Sequence, residues 1–214
     1  MLGGDCTSFS APRDRPAEHQ PVNPQLLRHV SYITAHLTVL VVTAVLIGAF
    51  VVQFAAGEFP CPLCILQRMA MMLAALGPAW MIAVGHRHSR VDPRDFTCAF
   101  GMTVLGAILG SAISIRQILL HIQPGDVGYG SPVFGLHLYT WALLVFVALL
   151  VDAGIHLIFI RQDVPITPKH PSILSKWVLW LFWIVILINA IAVFAEAGWN
   201  PFLSDNPTAY LLFG

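Results

Sequence analysis

The chain has 214 residues, of which 57% are hydrophobic and only 10% are charged. Soluble globular proteins carry roughly 25% charged residues, so this composition argues against an ordinary soluble domain. The formal net charge is zero, which excludes the strongly basic surface typical of nucleic-acid-binding proteins, and no nucleic-acid partner is expected.

The chain begins with a polar stretch, residues 1–31, that contains several prolines. This composition predicts a disordered tail, because it offers little apolar surface to bury. The tail lacks the short apolar core of a cleavable signal peptide. We therefore expect the first apolar segment to act as both signal and anchor.

Long apolar segments follow the tail, and each has about 20 to 25 residues. They are Tyr32–Ala55, Ile65–Val84, Phe96–Leu120, Leu136–Ile160 and Ile173–Ala195. At 1.5 Å per residue, a helix of this length crosses the roughly 30 Å hydrocarbon core of a bilayer. The sequence therefore predicts an all-α, polytopic membrane helical bundle.

The positive charges outside these segments alternate between the two sides of the predicted membrane. They are Arg13, Arg15 and Arg28 in the tail, Arg87, Arg90 and Arg94 in the second connection, and Arg161 and Lys169 in the fourth. The first and third connections and the stretch after the fifth segment contain no lysine or arginine. Because such residues favour the cytoplasmic side, the N-terminus is predicted in the cytoplasm and the C-terminus in the periplasm.

Two cysteines, Cys61 and Cys64, are spaced to form a small redox unit in the first outer connection. They face the oxidising side, where disulfides persist, whereas Cys6 and Cys98 belong to the cytoplasmic side. Pro62 prevents a regular helix from starting earlier, which places Cys64 in or next to the first turn of the second helix. A structural disulfide or half of a zinc site are the alternatives that the spacing leaves open.

Several polar side chains are predicted at the depth of this cysteine pair. Arg68 follows Cys64 by four positions and so lies on the same helix face, next to Gln67. A helix N-terminus and a nearby cation both stabilise a thiolate. Arg116, Gln117 and His121 reach the same layer from the outer end of the third segment, and His137, Tyr139 and Trp141 reach it from the start of the fourth. Snorkelling of the arginines to the headgroups is the alternative interpretation.

These motifs resemble a known family. The run Cys61-Pro62-Leu63-Cys64-Ile65-Leu66-Gln67-Arg68 resembles the C-x-x-C-x-x-x-R signature of the disulfide bond formation protein B (DsbB) family. Arg116-Gln117 resembles that family's RQ pair, and Phe134-Gly135-Leu136 through Trp141 resembles its start of helix four. The resemblance covers roughly residues 32 to 160.

The resemblance implies a four-helix DsbB-like core, residues 32–160, in the bacterial inner membrane. It implies a thiol:quinone oxidoreductase that reoxidises a periplasmic thioredoxin-fold dithiol protein of the DsbA type. Cys61 would form the mixed disulfide and Cys64 would engage the quinone, ubiquinone or menaquinone. Arg68, Gln67, Arg116 and His121 are the candidate quinone-binding residues, and no metal is expected.

The chain departs from the family pattern in two places. Well-known members carry a second cysteine pair between helices three and four, and residues 122–134 contain no cysteine. Either the partner attacks Cys61 directly, or a separate protein supplies the dithiol, or the substrate differs. The second departure is a cytoplasmic loop and fifth helix, residues 161–197, followed by a periplasmic tail, 198–214. A thiol oxidoreductase dedicated to one partner, or a non-catalytic quinone- or metal-binding subunit, remain alternatives.

Overall fold

The computed structural model describes residues 24–159, 173–200, 207 and 209–212. It contains the helices α1 (Pro24–Ala55), α2 (Pro62–His88), α3 (Pro93–Leu120), α4 (Leu138–Phe159) and α5 (Ile173–Ala197). All five are long and apolar enough to cross a membrane. The described part of the chain forms no β-strand. The prediction of a polytopic helical bundle is confirmed.

Proline residues set the start of the helices. Pro62 and Pro93 occupy the first turns of α2 and α3, where the missing N–H has no intrahelical acceptor to lose. Pro24 likewise begins α1, so the helix starts seven residues before the predicted end of the disordered tail at residue 31. The rest of that predicted tail, residues 1–23, and the predicted cytoplasmic loop, residues 161–172, lie outside the described residues.

Helices α2 and α3 approach each other closely through small residues. A Cβ atom added at Gly106 would lie 2.6 Å from the backbone nitrogen of Ala74, and one at Gly77 would collide with the carbonyl oxygen of Ala99. The Thr103 hydroxyl donates a hydrogen bond across the interface to the carbonyl of Ala74 at 2.9 Å. Small residues and such hydrogen bonds are the typical means of helix association in lipid. This tight pair fixes the positions of the polar residues on α2 and α3.

The interior of the bundle is filled by aromatic and aliphatic side chains. Phe100, Phe146 and Phe182 come from α3, α4 and α5 and are fully buried. Large apolar side chains such as Leu105 and Trp180 are exposed on the outer faces, as expected for helices surrounded by lipid. Helix α5 packs against α1 and α2, which brings its outer end to the cysteine pair.

Candidate active site

The cysteine pair lies where the first outer connection enters α2. Cys61 is the N-cap of the helix, and its sulfur accepts a hydrogen bond from the backbone N–H of Cys64 at 3.2 Å. The two Sγ atoms are 2.7 Å apart and are not joined by a disulfide bond. A disulfide bond is about 2.0 Å long, so a small rotation closes the pair. The pair can therefore alternate between dithiol and disulfide without rearranging the helix.

Gln117 of α3 contacts both sulfurs. Its Nε2 donates to Cys61 Sγ at 3.3 Å and to Cys64 Sγ at 3.5 Å. Its Oε1 accepts a hydrogen bond from Gln67 Nε2 at 3.0 Å. Because Gln67 donates to the oxygen end of the Gln117 amide, the NH₂ end faces the sulfurs. Donors aimed at sulfur stabilise negative charge there.

The two cysteines are not equivalent. The hydrogen bond with Cys64 and burial both raise the pKa of the Cys61 thiol, so Cys61 keeps its proton at neutral pH. Cys61 is buried, and Cys64 is half-buried. In the dithiol, the Cys61 S–H therefore lies against the Cys64 sulfur. Cys61, which is predicted to form the mixed disulfide, is thus the more buried of the two sulfurs.

Arg68 is buried, with 8% of its surface exposed, and does not face the lipid. Its Nη1 donates to Gln53 Oε1 at 2.7 Å and its Nη2 to the carbonyl of Ala49 at 3.2 Å. Its guanidinium also lies 5.4 Å from the centre of the Phe50 ring. The hydrogen bonds of Arg68 thus go to α1, and it acts on Cys64 electrostatically. Snorkelling is not what holds this arginine.

Arg116 and His121 lie apart from the cysteine pair. Arg116 is exposed and lines an apolar groove on α3 together with Ala112, Ile115, Leu119 and Leu120. His121 Nδ1 contacts Asp126 Oδ2 at 3.1 Å in the α3–α4 loop. That contact and the Gly128 N–H lower the pKa of the Asp126 carboxyl. Of the predicted quinone-binding residues, Gln67 and Arg68 are those held beside the pair.

The α3–α4 loop, residues 121–137, covers the cysteine connection. The Tyr129 hydroxyl donates to the carbonyl of Phe59 at 2.7 Å, and the Ser131 N–H donates to Glu58 Oε1 at 3.1 Å. The loop ends in a tight turn in which Val133 and Leu136 exchange two backbone hydrogen bonds. We call this segment the strap. The resemblance to the DsbB family predicts a second cysteine pair in this segment, and the strap contains no cysteine.

Two site residues were missed from the sequence. Gln53 at the outer end of α1 is 3% exposed and holds Arg68, and it donates to the Tyr210 hydroxyl at 3.5 Å. Glu196 at the outer end of α5 is 1% exposed and interacts electrostatically with Arg68. Both carry a signal in the sequence, because each is a polar side chain near the end of an otherwise apolar segment.

Metal binding was the alternative use of the pair. Among the residues that the structure describes, no group of three or more histidine, cysteine, aspartate or glutamate side chains is placed to hold a metal ion. A structural zinc site needs four such ligands. The geometry at Cys61 and Cys64 therefore gives no support to a zinc site within this part of the chain.

Comparison with known proteins places the chain among related sequences. The family model "Disulfide bond formation protein DsbB" matches residues 31–128, which include the cysteine pair, Arg68 and Gln117. Disulfide bond formation protein B of Chromobacterium violaceum is 36% identical over 78 residues, 36% of this chain and 44% of the relative. The disulfide bond formation protein B of Chromohalobacter salexigens is 35% identical over 88 residues, which are 41% of this chain and 49% of the relative.

A longer match is found in Pseudomonas fluorescens, whose disulfide bond formation protein B 1 is 29% identical over 148 residues, 54% of this chain and 84% of the relative. The first two relatives are matched over about half of their length. No solved structure matches the chain. The cysteine motif at the start of α2, the residues around it and these matches agree, and over residues 31–128 the chain is similar to the DsbB family.

Proposed function

We propose that this protein is a thiol:quinone oxidoreductase of the bacterial inner membrane that supports disulfide bond formation. It takes electrons from a periplasmic thioredoxin-fold dithiol protein through Cys61 and Cys64 and passes them to ubiquinone or menaquinone. The observation that carries the proposal is the adjacent sulfur pair at the N-terminus of a membrane helix, with the Gln117 amide donating to both sulfurs.

The first half of the cycle is thiol–disulfide exchange at the oxidised pair. A thiolate of the partner attacks Cys61 Sγ and forms a mixed disulfide, and Cys64 leaves as a thiolate. The leaving sulfur receives hydrogen bonds from Gln117 and lies in the field of Arg68. Exchange is faster when the leaving thiolate is stabilised. The second thiol of the partner then attacks the partner's own sulfur in the mixed disulfide, so that the partner leaves as a disulfide and Cys61 is released as a thiol.

The second half of the cycle oxidises the pair again. A quinone accepts two electrons and two protons, which is what closing a dithiol releases. The surroundings suit such an acceptor, because Gln67, Gln117 and Arg68 present polar atoms inside an apolar layer. Arg68 and Gln67 would hold it beside Cys64. Arg116 would meet it in the groove of α3, one position along the helix from Gln117.

The strap offers a solution to the missing second cysteine pair. Tyr129 and Glu58 hold the strap against the connection that carries Cys61, and we propose that the partner displaces the strap to reach this buried sulfur. Direct attack on Cys61 by the partner then needs no relay cysteines. His121 and His137 lie in the same loop and are candidates to exchange protons with water.

Quinol formation by the purified protein tests the proposal. The protein in lipid nanodiscs is mixed with a reduced thioredoxin-fold dithiol protein and a quinone, and quinol is followed by absorbance. We expect turnover in the wild type and in the control Cys98→Ala, which removes an exposed cysteine outside the site, but none in Cys61→Ala. Equal quinol formation by Cys61→Ala and wild type would overturn the proposal.

Trapping the partner tests the assignment of Cys61. In Cys64→Ala, Cys61 attacks the disulfide of the oxidised partner and forms a mixed disulfide that Cys64 can no longer displace, and rapid acid quenching keeps the partner's second thiol from releasing it. When the variant is purified from intact bacterial cells, we expect one thioredoxin-fold protein to be attached to it covalently. A covalent complex with Cys64 in a Cys61→Ala variant, and none with Cys61, would contradict the assignment.

A further inference from the structure

Helix α5, which lies outside the region matched by the family model, ends with a carboxyl group beside the site. Glu196 is 1% exposed, and neither carboxyl oxygen has a hydrogen-bond partner among the described residues. A buried polar group without a hydrogen bond costs free energy, and a buried charge costs much more. Such an arrangement calls for a functional explanation.

The surroundings of Glu196 connect it to the cysteine pair. Its charge interacts with Arg68 and with Cys64, both on α2. Tyr129 of the strap also interacts electrostatically with Glu196, as Tyr210 of the C-terminal segment does with Arg68. From α1, the non-titrating Gln53 contacts Arg68. The carboxyl group thus shares one buried polar layer with the residues that hold the pair.

The end of α5 is fixed in place by the chain that follows it. The backbone N–H of Leu211 donates to the carbonyl of Glu196 at 3.3 Å, and that of Leu212 donates to Ala195 at 3.1 Å. Tyr210 packs against Phe59, 4.9 Å between ring centres, next to the cysteine connection. The Glu196 side chain is therefore held at the site by the returning chain.

The proton balance of the redox step suggests a role for the Glu196 carboxyl group. When the pair closes, the Cys61 S–H bond breaks, the S–S bond forms, and two electrons leave for the acceptor. The acceptor takes up two protons, one released by Cys61 and one from water, because Cys64 reacts as a thiolate. Arg68 cannot carry a proton, since guanidinium stays charged in proteins. A carboxyl group can carry a proton, and neither carboxyl oxygen of Glu196 has a hydrogen-bond partner among the described residues.

We propose that Glu196 carries the proton between Cys61 and the electron acceptor, so that the fifth helix completes the redox site. This inference rests on the proposed function. Glu196 accepts the proton that Cys61 loses and delivers it to the reduced acceptor. Before the transfer, the positive charge of Arg68 interacts with both the Cys64 thiolate and the Glu196 carboxylate.

Infrared difference spectroscopy tests the inference without any quinone. Spectra of the protein in its dithiol and disulfide forms are subtracted, and the carboxyl C=O band is compared among wild type, Glu196→Gln, Glu196→Asp and the control Asp95→Asn. We expect a carboxyl signal in the wild type and the control, a displaced one in Glu196→Asp, and none in Glu196→Gln. An identical signal in wild type and Glu196→Gln would overturn the inference.

Turnover provides the second readout. With a quinone acceptor, we expect Glu196→Gln to lower the maximal rate roughly 100-fold and to flatten the pH profile, with partial recovery in Glu196→Asp. Unchanged turnover and pH profile in a folded Glu196→Gln would also overturn the inference. A carboxyl signal without any quinol formation by the wild type would refute the proposed acceptor but leave the proton exchange of Glu196 standing. Thermal unfolding of each variant verifies that it is folded.

Discussion

The most informative single residue in the site is Gln117. It is 1% exposed. The amide oxygen accepts a hydrogen bond from Gln67, and the amide nitrogen donates hydrogen bonds to both cysteine sulfurs. A hydrogen bond to a charged group contributes about 1.5–3 kcal/mol. Gln117 is thus expected to matter more to the chemistry of the pair than the more distant Arg68.

Replacing Gln117 should slow the reaction of Cys64 with electrophiles. In Gln117→Leu the thiolate loses its amide donor, and we expect labelling of Cys64 by iodoacetamide at neutral pH to be about tenfold slower. Labelling is quantified by mass spectrometry of the reduced protein. The control is Gln123→Leu, at an exposed position of the α3–α4 loop. Equal labelling rates in Gln117→Leu and wild type would show that the amide does not stabilise the thiolate.

At the scale of the helices, the α2–α3 interface sets the geometry of the site, because it carries Gln67 and Gln117 on facing helices. The close approach at Gly77 leaves no room for a methyl group. Gly101 of α3, two residues after Ala99 but facing open space, has no atom within 4 Å of an added Cβ. The two glycines therefore form a matched pair.

Adding one methyl group at Gly77 should destabilise the bundle. Gly77→Ala forces the Cβ against the Ala99 carbonyl, and we expect a loss of about 1–3 kcal/mol in the free energy of unfolding. The measurement is unfolding by titration with SDS. We expect Gly101→Ala to unfold as the wild type or slightly later, since alanine favours helix. Equal stability of the two variants would contradict the close approach.

The strap should control access to the pair. Tyr129→Phe removes the hydrogen bond to Phe59, and we expect labelling of Cys61 to rise roughly fivefold. Burial raises the pKa of Tyr129 to about 12. Because the folded pKa is raised, the phenol proton and its hydrogen bond are fully present below the unfolded value of about 10 and are lost only as the pH rises through about 12.

The ratio of the labelling rates of Tyr129→Phe and wild type should therefore stay constant from neutral pH up to about pH 9. The substitution does not alter the groups that form the hydrogen bond from the Ser131 N–H to Glu58, so a difference in labelling rate reports on the Tyr129 hydrogen bond. A variant that is labelled no faster than the wild type would show that the strap does not cover the sulfur.

The sequence predicted the helices better than the side-chain partners. Uninterrupted apolar runs and Pro62 determine where α2 lies, because lipid admits few alternatives to a helix. The spacing between Cys64 and Arg68 predicted that both lie on one helix face, but it did not predict that the guanidinium bonds to Gln53 and Ala49 of another helix. Contacts between helices depend on their rotation and tilt, which a single sequence does not encode locally. Glu196 was not predicted as a site residue, because its interaction with Arg68 also depends on how the helices pack.

At the scale of the whole molecule, the α5 end and the cysteine connection lie at one end of the bundle, joined by the contact between Phe59 and Tyr210. Five crossings with this arrangement put the N-terminus and the C-terminal segment on opposite sides of the membrane. The distribution of lysine and arginine assigns the cytoplasm to the N-terminal side. The orientation remains a prediction, and labelling of introduced cysteines can test it.

Two introduced cysteines report on the two sides of the membrane. In a background of Cys6→Ala and Cys98→Ala, we expect a membrane-impermeant maleimide to label Gln123→Cys in intact spheroplasts. His88→Cys, at the exposed inner end of α2, should be labelled only after the membrane is permeabilised. The reverse pattern would place the cysteine pair in the reducing compartment and exclude the proposed function.

The central claim is that electrons pass from the Cys61–Cys64 pair to a quinone. A single-turnover experiment tests it most directly: the protein is reduced, freed of reductant, and mixed with quinone in nanodiscs without oxygen. Quinol is measured by absorbance, and disulfide formation by mass spectrometry. We predict one quinol per Cys61–Cys64 disulfide formed, because each involves two electrons, and none in Cys64→Ala. Oxidation of the pair without quinol, or quinol formed at the same rate by Cys64→Ala, would contradict the account.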